Sequence, residues 1–344
     1  MTRAVVAHAA KDLRIENRSV GEMGRDQAEI SIGAGGICGS DLHYYNDGGI
    51  GAIRLQEPMV LGHEVAGTVT AVGSDVSTVK VGDLVAVNPS RPCGKCAYCQ
   101  RGQQNHCLDM RFYGSAMRMP HVHGAFQQTL IADAGQCVVA PPSVSANKLA
   151  FAEPFAVTLH GVGRAGPLIG KRVLVTGSGP IGALAVLAAR THGAREIVAT
   201  DVVDQPLVKA REMGADRTIN VASDGDALAA YGVDKGSFDV VLEASGNQAA
   251  LQGALEVLRP RGVLVQLGLG GDITIPQNTI VAKEIELRGS FRFHEEFELA
   301  VELIASGRVD VMPLLTDVFD IERVVHAFEL ANDRTRAMKV QLSF

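Results

Sequence analysis

Tryptophan is absent from this 344-residue chain, and aromatic residues make up only 5% of it. Its cores must therefore be built from aliphatic side chains and alanine, and its 38 glycines imply many tight turns and close backbone approaches, as in an α/β enzyme. No stretch approaches the roughly 18 uninterrupted apolar residues of a membrane span, so no membrane partner is expected. The N-terminal run MTRAVVAHAAKDLRIE has no apolar signal core and meets Lys11, Asp12 and Arg14 early, so it reads as mature, cytoplasmic sequence. Positive charge is not in excess. Lys and Arg number 32 against 38 Asp and Glu, which argues against a dedicated nucleic-acid binder. Low-complexity linkers and repeats of fixed period are also missing. What remains is 47% apolar and 20% charged, a globular balance over a length that suggests about two domains.

The six cysteines carry the first chemical signal. Four fall in CGKCAYCQRGQQNHC as Cys93, Cys96, Cys99 and Cys107. A secreted disulfide framework would spread its cysteines, and neighbours three positions apart seldom bridge well. Four thiolates on a short loop suit a closed tetrahedral zinc site, which contributes stability and leaves no position open for chemistry. An iron–sulfur site or a redox dithiol competes, but the fourth gap is long for a ferredoxin run and no second cluster motif exists. Cys137, in QCVVAPP, reads as a small buried hydrophobe.

Residues 1–150 show short β-like runs such as AEISI (28–32), GTVTAVG (67–73) and DLVAV (83–87), punctuated by glycine. That pattern predicts a mostly antiparallel, barrel-like domain. After Pro154 the texture changes. RVLVTG, EIVATD, FDVVLEAS and GVLVQLG alternate with helical patterns, predicting a parallel sheet covered on both faces. The expected division is 1–151, then 152–280 as the cofactor domain, then 281–344 returning to complete the first domain.

RVLVTG runs into GSGPIG, with Gly177, Gly179 and Gly182 between a strand and a helical pattern. In that context the first glycine allows the tight turn, the second lets backbone approach a pyrophosphate, and the third lets helix pack on strand. Pro180 suits the first helical turn, and the helix start supplies N–H donors for phosphate. Asp201, ending the next strand, is placed to accept the ribose hydroxyls of NAD and to repel a 2′-phosphate. No Arg or Lys occurs from 202 to 208, so NAD is favoured over NADP. Later strand ends offer Gly246, Leu267 and Gly268.

A second ligand set lies in GGICGSDLHYY (35–45), LGHE (61–64) and FAEPFAV (151–157). Cys38, His63 and Glu153 would suit a catalytic zinc with an open fourth position. Taken singly, the same residues read as a core thiol, a satisfied histidine and a helix-start charge, and sequence distance alone does not bring them together.

The Cys-x-Ser-Asp run (38–41), GHE (62–64), the four-cysteine lobe and GSGPIG occur in an order that resembles the zinc-dependent medium-chain alcohol dehydrogenases over essentially the whole chain. Glu153 in place of a cysteine, and FRF (291–293), resemble the polyol branch. NPSRPCGKCAYC, DMRFYGSAM, PHVHGAF and RGSFRF resemble its sugar-acid dehydrogenases. The resemblance implies an α/β protein with a GroES-like, mostly antiparallel β-barrel catalytic domain and a doubly wound, parallel-sheet Rossmann domain. It implies two zinc ions per chain. The catalytic one lies among Cys38, His63, Glu64 and Glu153, with direct and water-mediated carboxylates not distinguished, and the structural one on the four lobe cysteines. Ser40 matches the hydroxyl that takes the substrate proton and His43 the histidine that relays it. Tyr44, Phe112 and Arg292 match substrate-pocket positions. Gly177, Gly179, Pro180, Ile181, Gly182, Asp201, Gly246, Leu267, Gly268, Phe291 and Arg292 match cofactor positions. Pro206 stands where related enzymes often carry an Arg near the adenosine ribose, and Phe293 replaces a tyrosine. The partners implied are a sugar acid or polyol and further copies of the chain, as homotetramer or homodimer. Arg111, Arg118, His121 and His123 are lesser candidates for substrate contact.

Overall fold

The computed structural model describes residues 1–344. The chain divides into two compact units: Met1–Glu153 with Phe297–Asp333 and Lys339–Phe344, and Pro154–Glu296 with Arg334–Met338.

In the first unit, the strand Gln27–Gly36 is the hub. It pairs antiparallel with Glu64–Val72 on one side, and with Thr129–Asp133 and then Lys339–Ser343 on the other. Ala28, Ile30, Ile32 and Ala34 alternate into the core, the period-two pattern of a sheet with one buried face. Leu84–Val87 and Cys137–Ala140 extend the sheet beyond Glu64–Val72, and Leu315–Asp320 runs parallel to Lys339–Ser343 at the other end. The C-terminal strand thus completes a mostly antiparallel sheet built mainly from the first 140 residues, while the N-terminal strand Thr2–Ala9 lies in a smaller sheet with Asp12–Arg18 and Met59–Val60.

The second unit holds six parallel strands, numbered here within the unit: β1 (Arg172–Thr176), β2 (Glu196–Asp201), β3 (Arg217–Asn220), β4 (Phe238–Glu243), β5 (Leu258–Gln266) and β6 (Glu286–Gly289). Their order is β3-β2-β1-β4-β5-β6, the dinucleotide-binding order. Leu174, Val198, Val241 and Leu264, from adjacent strands, share one apolar cluster with Leu251 and Leu255 of the helix Gln248–Val257. Burial on both faces explains why these strands read as continuous apolar runs.

The boundaries differ from those expected. The second unit continues to Glu296 instead of ending at 280, because β6 pairs with β5 along Glu286–Gly289. As an edge strand β6 has one paired side, and the run ELRG lacks the apolar signature of its neighbours. The chain also revisits the second unit at Arg334–Met338.

Candidate metal centre and dinucleotide cradle

Cys38 is the N-cap of the helix Gly39–Asp47, with extended backbone (φ −94°, ψ 158°). Its N–H donates to Asp41 Oδ2 at 3.0 Å, and the backbone N–H of Asp41 donates back to the thiol side chain, a capping box with cysteine at the cap. The other oxygen, Asp41 Oδ1, accepts from Gly62 N–H at 3.1 Å. Gly62 has φ +91°, and a Cβ there would lie 2.1 Å from the Phe126 ring, so only glycine makes the turn that delivers His63. One fully buried carboxylate therefore fixes both ligand-bearing loops. In sequence Asp41 has no role beyond its place in the Cys-x-Ser-Asp run, although its i+3 spacing from Cys38 is a capping signal.

The donor atoms of Cys38, His63 and Glu64 lie within 4.8 Å of one another. His63 Nδ1 is buried without a hydrogen-bond partner, 3.8 Å from Asp41 Oδ1. Ser40 Oγ lies 3.5 Å from His63 Nε2. Buried imidazole nitrogens are normally satisfied, and ligating histidines commonly present their second nitrogen to a carboxylate. Sulfur, imidazole nitrogen and carboxylate oxygen form a donor set that fits zinc. Burial, reinforced by the charge of Glu64, pushes the Cys38 thiol up to about 12. A metal cation would reverse that penalty.

Glu64 is only 1% exposed and meets an equally buried cation, Lys339, whose Nζ donates to both carboxylate oxygens at 2.8 and 2.7 Å and to Ile37 C=O at 3.1 Å. Burial works against the ammonium, but Glu64, Cys38 and Glu153 outweigh it and raise Lys339 above its ordinary value. Glu153 stands outside the three-residue donor cluster, yet it faces the same groups. Burial raises its carboxyl to about 8, with His63 acting in the opposite direction.

His43 is exposed on the same helix, one turn beyond Ser40, and its Nδ1 lies 3.3 Å from Asp47 Oδ2. The Phe112 ring packs 5.5 Å from the His63 ring and walls the centre. Tyr44 departs from the expected substrate contact. It is 2% exposed, and its hydroxyl accepts from Ala116 N–H at 3.0 Å, tying the helix to the chain at 116. His121 is likewise committed, with Nε2 accepting from Gln56 N–H at 2.9 Å and Nδ1 facing Arg118 C=O at 2.8 Å. Arg118 is spent on the carbonyls of Leu108 and Met110.

In the lobe, the four sulfurs of Cys93, Cys96, Cys99 and Cys107 lie within 4.8 Å of one another and none is disulfide-bonded. Backbone N–H groups of Cys93 and Asp109 donate to Cys107 Sγ at 3.1 and 3.3 Å. Backbone donors from Cys99 and Leu108 bring Cys96 down to about 6, while burial and the neighbouring thiols push Cys99 up to about 12. Crowded sulfurs with backbone N–H donors form a set that four thiolates sharing one cation would fit. Cys137 is buried in a strand, apart from both clusters.

In the second unit, Gly177 has φ +80°, and a Cβ there would lie 2.8 Å from Ser245 backbone. A Cβ on Gly182 would lie 1.8 Å from Gly177 C=O. Gly179 differs: a Cβ would meet nothing within 4 Å. It is the N-cap of the helix Pro180–Thr191, with Pro180 at its start and Ile181 in its first turn. The open space before that helix is one a pyrophosphate would fit. Gly246 and Gly268 pack backbone to backbone, since a Cβ on Gly268 would lie 2.2 Å from Gly246 N. Leu267 packs its side chain against Gly161. Glu243, also not anticipated, ends β4 fully buried and accepts from Ser245 N–H at 2.9 Å and Gly246 N–H at 3.0 Å, holding the turn beside Gly177. Arg292 has φ +55° and stacks its guanidinium over Phe291 at 4.9 Å, both within the second unit.

Two family models match the chain: the alcohol dehydrogenase GroES-like domain over residues 24–142 and the zinc-binding dehydrogenase over residues 180–306. L-idonate 5-dehydrogenase (NAD(P)(+)) of Escherichia coli K12 is 44% identical over 344 residues, covering 100% of this chain and 99% of the relative. This chain belongs to the zinc-dependent medium-chain dehydrogenases, in their polyol branch. Sorbitol dehydrogenase of Bacillus subtilis is 39% identical, covering 96% of this chain and 93% of that family member. The crystal structure of the E. coli L-idonate 5-dehydrogenase superposes with a TM-score of 0.96, covering 100% of this chain and 98% of that one. The chain is therefore an oxidoreductase of a zinc and NAD(P) family, with the α/β fold of its structural neighbours. No helix is long and apolar enough to cross a membrane.

Proposed function

We propose that the protein is an L-idonate 5-dehydrogenase, oxidising the C5 hydroxyl of L-idonate to give 5-keto-D-gluconate. The observation that carries this reading is the 44% identity to the E. coli L-idonate 5-dehydrogenase over the whole chain. The substrate is then a small sugar acid. The donor set supports catalysis over a purely nucleotide-binding role, since Cys38, His63 and Glu64 remain gathered.

Cys38, His63, Glu64 and Glu153 would hold one zinc, and Cys93, Cys96, Cys99 and Cys107 a second, structural one. Bound zinc supplies Lewis acidity toward the substrate hydroxyl and the bound nicotinamide supplies the hydride acceptor. The chain's own part is to move the proton. Ser40, beside His63, accepts it, and His43 passes it to solvent along a helix face shared at i,i+3 spacing. His43 is then held by Asp47. Asp41 keeps Cys38 and the His63 loop in register while this occurs. Gly177, Gly179, Gly182 and Asp201 bind the nucleotide, and NAD is favoured over NADP to the extent that Asp201 presents its charge to the ribose. The open edge of β6, with Leu287 exposed, supports assembly into dimers or tetramers through this sheet.

Initial rates of nucleotide reduction by zinc-loaded protein test the reading, with L-idonate compared with sorbitol, xylitol and D-gluconate. A kcat/KM for L-idonate at least about tenfold higher, roughly 1.4 kcal/mol of discrimination, is expected. Preference for sorbitol or xylitol would replace it with the polyol reading, which the 39% identity to the B. subtilis sorbitol dehydrogenase also supports.

A further inference from the structure

Asp201, at the end of β2, carries more than its expected role needs. Its Oδ2 accepts from Ser178 N–H at 2.8 Å, and its Oδ1 from Val202 and Val203 N–H at 2.8 and 3.1 Å. Arg334 Nη2 then reaches both oxygens, at 3.2 and 3.0 Å. An ionised carboxylate offers about four lone-pair sites, and five contacts already draw on them. The carboxylate is buried, with a side chain 2% exposed, whereas the Arg334 side chain is 57% exposed. Arg334 comes from the short C-terminal segment that revisits the second unit, 133 positions from its partner.

Two consequences follow for an adenosine ribose at this strand end. Its 2′- and 3′-hydroxyls can bond to Asp201 only where Arg334 yields a lone pair. A 2′-phosphate, which a bare Asp201 would repel, instead meets a neutralised carboxylate and a guanidinium. Asp201 occupies only Nη2 of that guanidinium, whose planar fork matches phosphate geometry. The residues that follow Asp201 supply no uncommitted cation. Residues 202–208 contain no Arg or Lys, Lys209 is paired with Glu212 at 2.8 Å, and Arg211 donates to Thr218.

We propose that Arg334 determines how far this enzyme admits NADP alongside NAD, by neutralising Asp201 and binding the 2′-phosphate. The proposal rests on the reading that the second unit binds NAD(P). When the exposed guanidinium swings away, Asp201 keeps its three backbone N–H donors and is not left unpaired, so the hydroxyls of NAD can take its place. NAD therefore retains access to Asp201, while NADP gains a ligand in place of a repulsion.

The test is direct binding of NADH and NADPH to the zinc-loaded, full-length protein, read by nucleotide fluorescence and by calorimetry without substrate. Wild type is compared with Arg334→Ala and Arg334→Lys, and nucleotide-free thermal unfolding checks each fold. Arg334→Ala should raise the NADPH Kd at least tenfold and change the NADH Kd less than threefold. Arg334→Lys, keeping the charge but losing the fork, should recover part of the NADPH affinity. Equal losses for both nucleotides, no change for either, or NADPH binding already unmeasurable in wild type would each overturn the proposal while leaving the NAD site standing. Failure of wild type to bind either nucleotide would remove the cofactor reading and the proposal with it.

Discussion

The ion pair between Glu64 and Lys339 offers the sharpest test of how the first unit holds its metal centre. Both groups are almost wholly buried, and Nζ bonds both carboxylate oxygens. Removing one partner of such a pair strands the other charge out of water, which costs about 3–5 kcal/mol, whereas replacing both by apolar groups of similar volume is often close to neutral. Lys339→Met should therefore lower the melting temperature by roughly 6–20 °C, at about 2–4 °C per kcal/mol for a unit of this size. Glu64→Leu should act similarly, and Glu64→Leu with Lys339→Met should lose much less than the sum of the two.

The assay is thermal unfolding by circular dichroism of wild type, both single variants and the double variant, at matched zinc content. A second set after chelator treatment adds a sign. A cation beside Glu64 supplies part of the missing positive charge, so the Lys339→Met loss should grow when zinc is removed. A Lys339→Met variant within about 2 °C of wild type in both sets, or a double variant whose loss equals the sum of the singles, would refute the reasoning.

The glycine loop separates fold from function. Gly182→Ala should destabilise by about 1–3 kcal/mol through its contact with Gly177 C=O, whereas Gly179→Ala should melt normally and bind NADH at least tenfold more weakly. Cys96→Ser should reduce bound zinc from two ions to one per chain by mass spectrometry and lower the melting temperature, since its sulfur lies 3.5 Å from Cys99 Sγ and 4.0 Å from Cys107 Sγ. In metal-free protein, Glu153 holds its proton up to about pH 8, against 4.5 for an ordinary glutamate. The folded state then binds the extra proton, so stability falls by about 1.4 kcal/mol per pH unit across that window; Glu153→Gln should remove this slope in urea titrations at pH 5–8, and an unchanged slope would show that burial does not hold the proton. Arg292→Ala should raise KM for a sugar acid more than for sorbitol, and an unchanged KM removes it as a carboxylate contact.

What the sequence made legible was local. The lobe cysteines lie within fifteen positions, and their backbone N–H donors come from the same loop. The phosphate loop joins a strand to a helix within a dozen residues, and the clashes that demand Gly177 and Gly182 arise from that turn and the neighbouring one at Ser245. Cys38 and Asp41 form a capping box, so even Asp41, with no expected role, had a short-range signal. By contrast, the end of the second unit was misplaced because an edge strand such as β6 need not be apolar on both faces.

The charges that tune both candidate sites had no such signal. Lys339 meets Glu64 across 275 positions and Arg334 meets Asp201 across 133. In sequence, both belong to the polar-looking run RTRAMK, where each cation reads as a solvated charge. Only the path of the chain distinguishes them. Arg334–Met338 packs with the second unit, and the next residue enters the central sheet of the first, where the strand Lys339–Ser343 is buried. Six residues therefore deliver one cation to the buried carboxylate beside the donor cluster and another to the carboxylate at the expected ribose position. Placement explains the difference in their effect. Lys339 has no water to turn to, so its loss should register as stability, whereas Arg334 is more than half exposed, so its loss should register as selectivity.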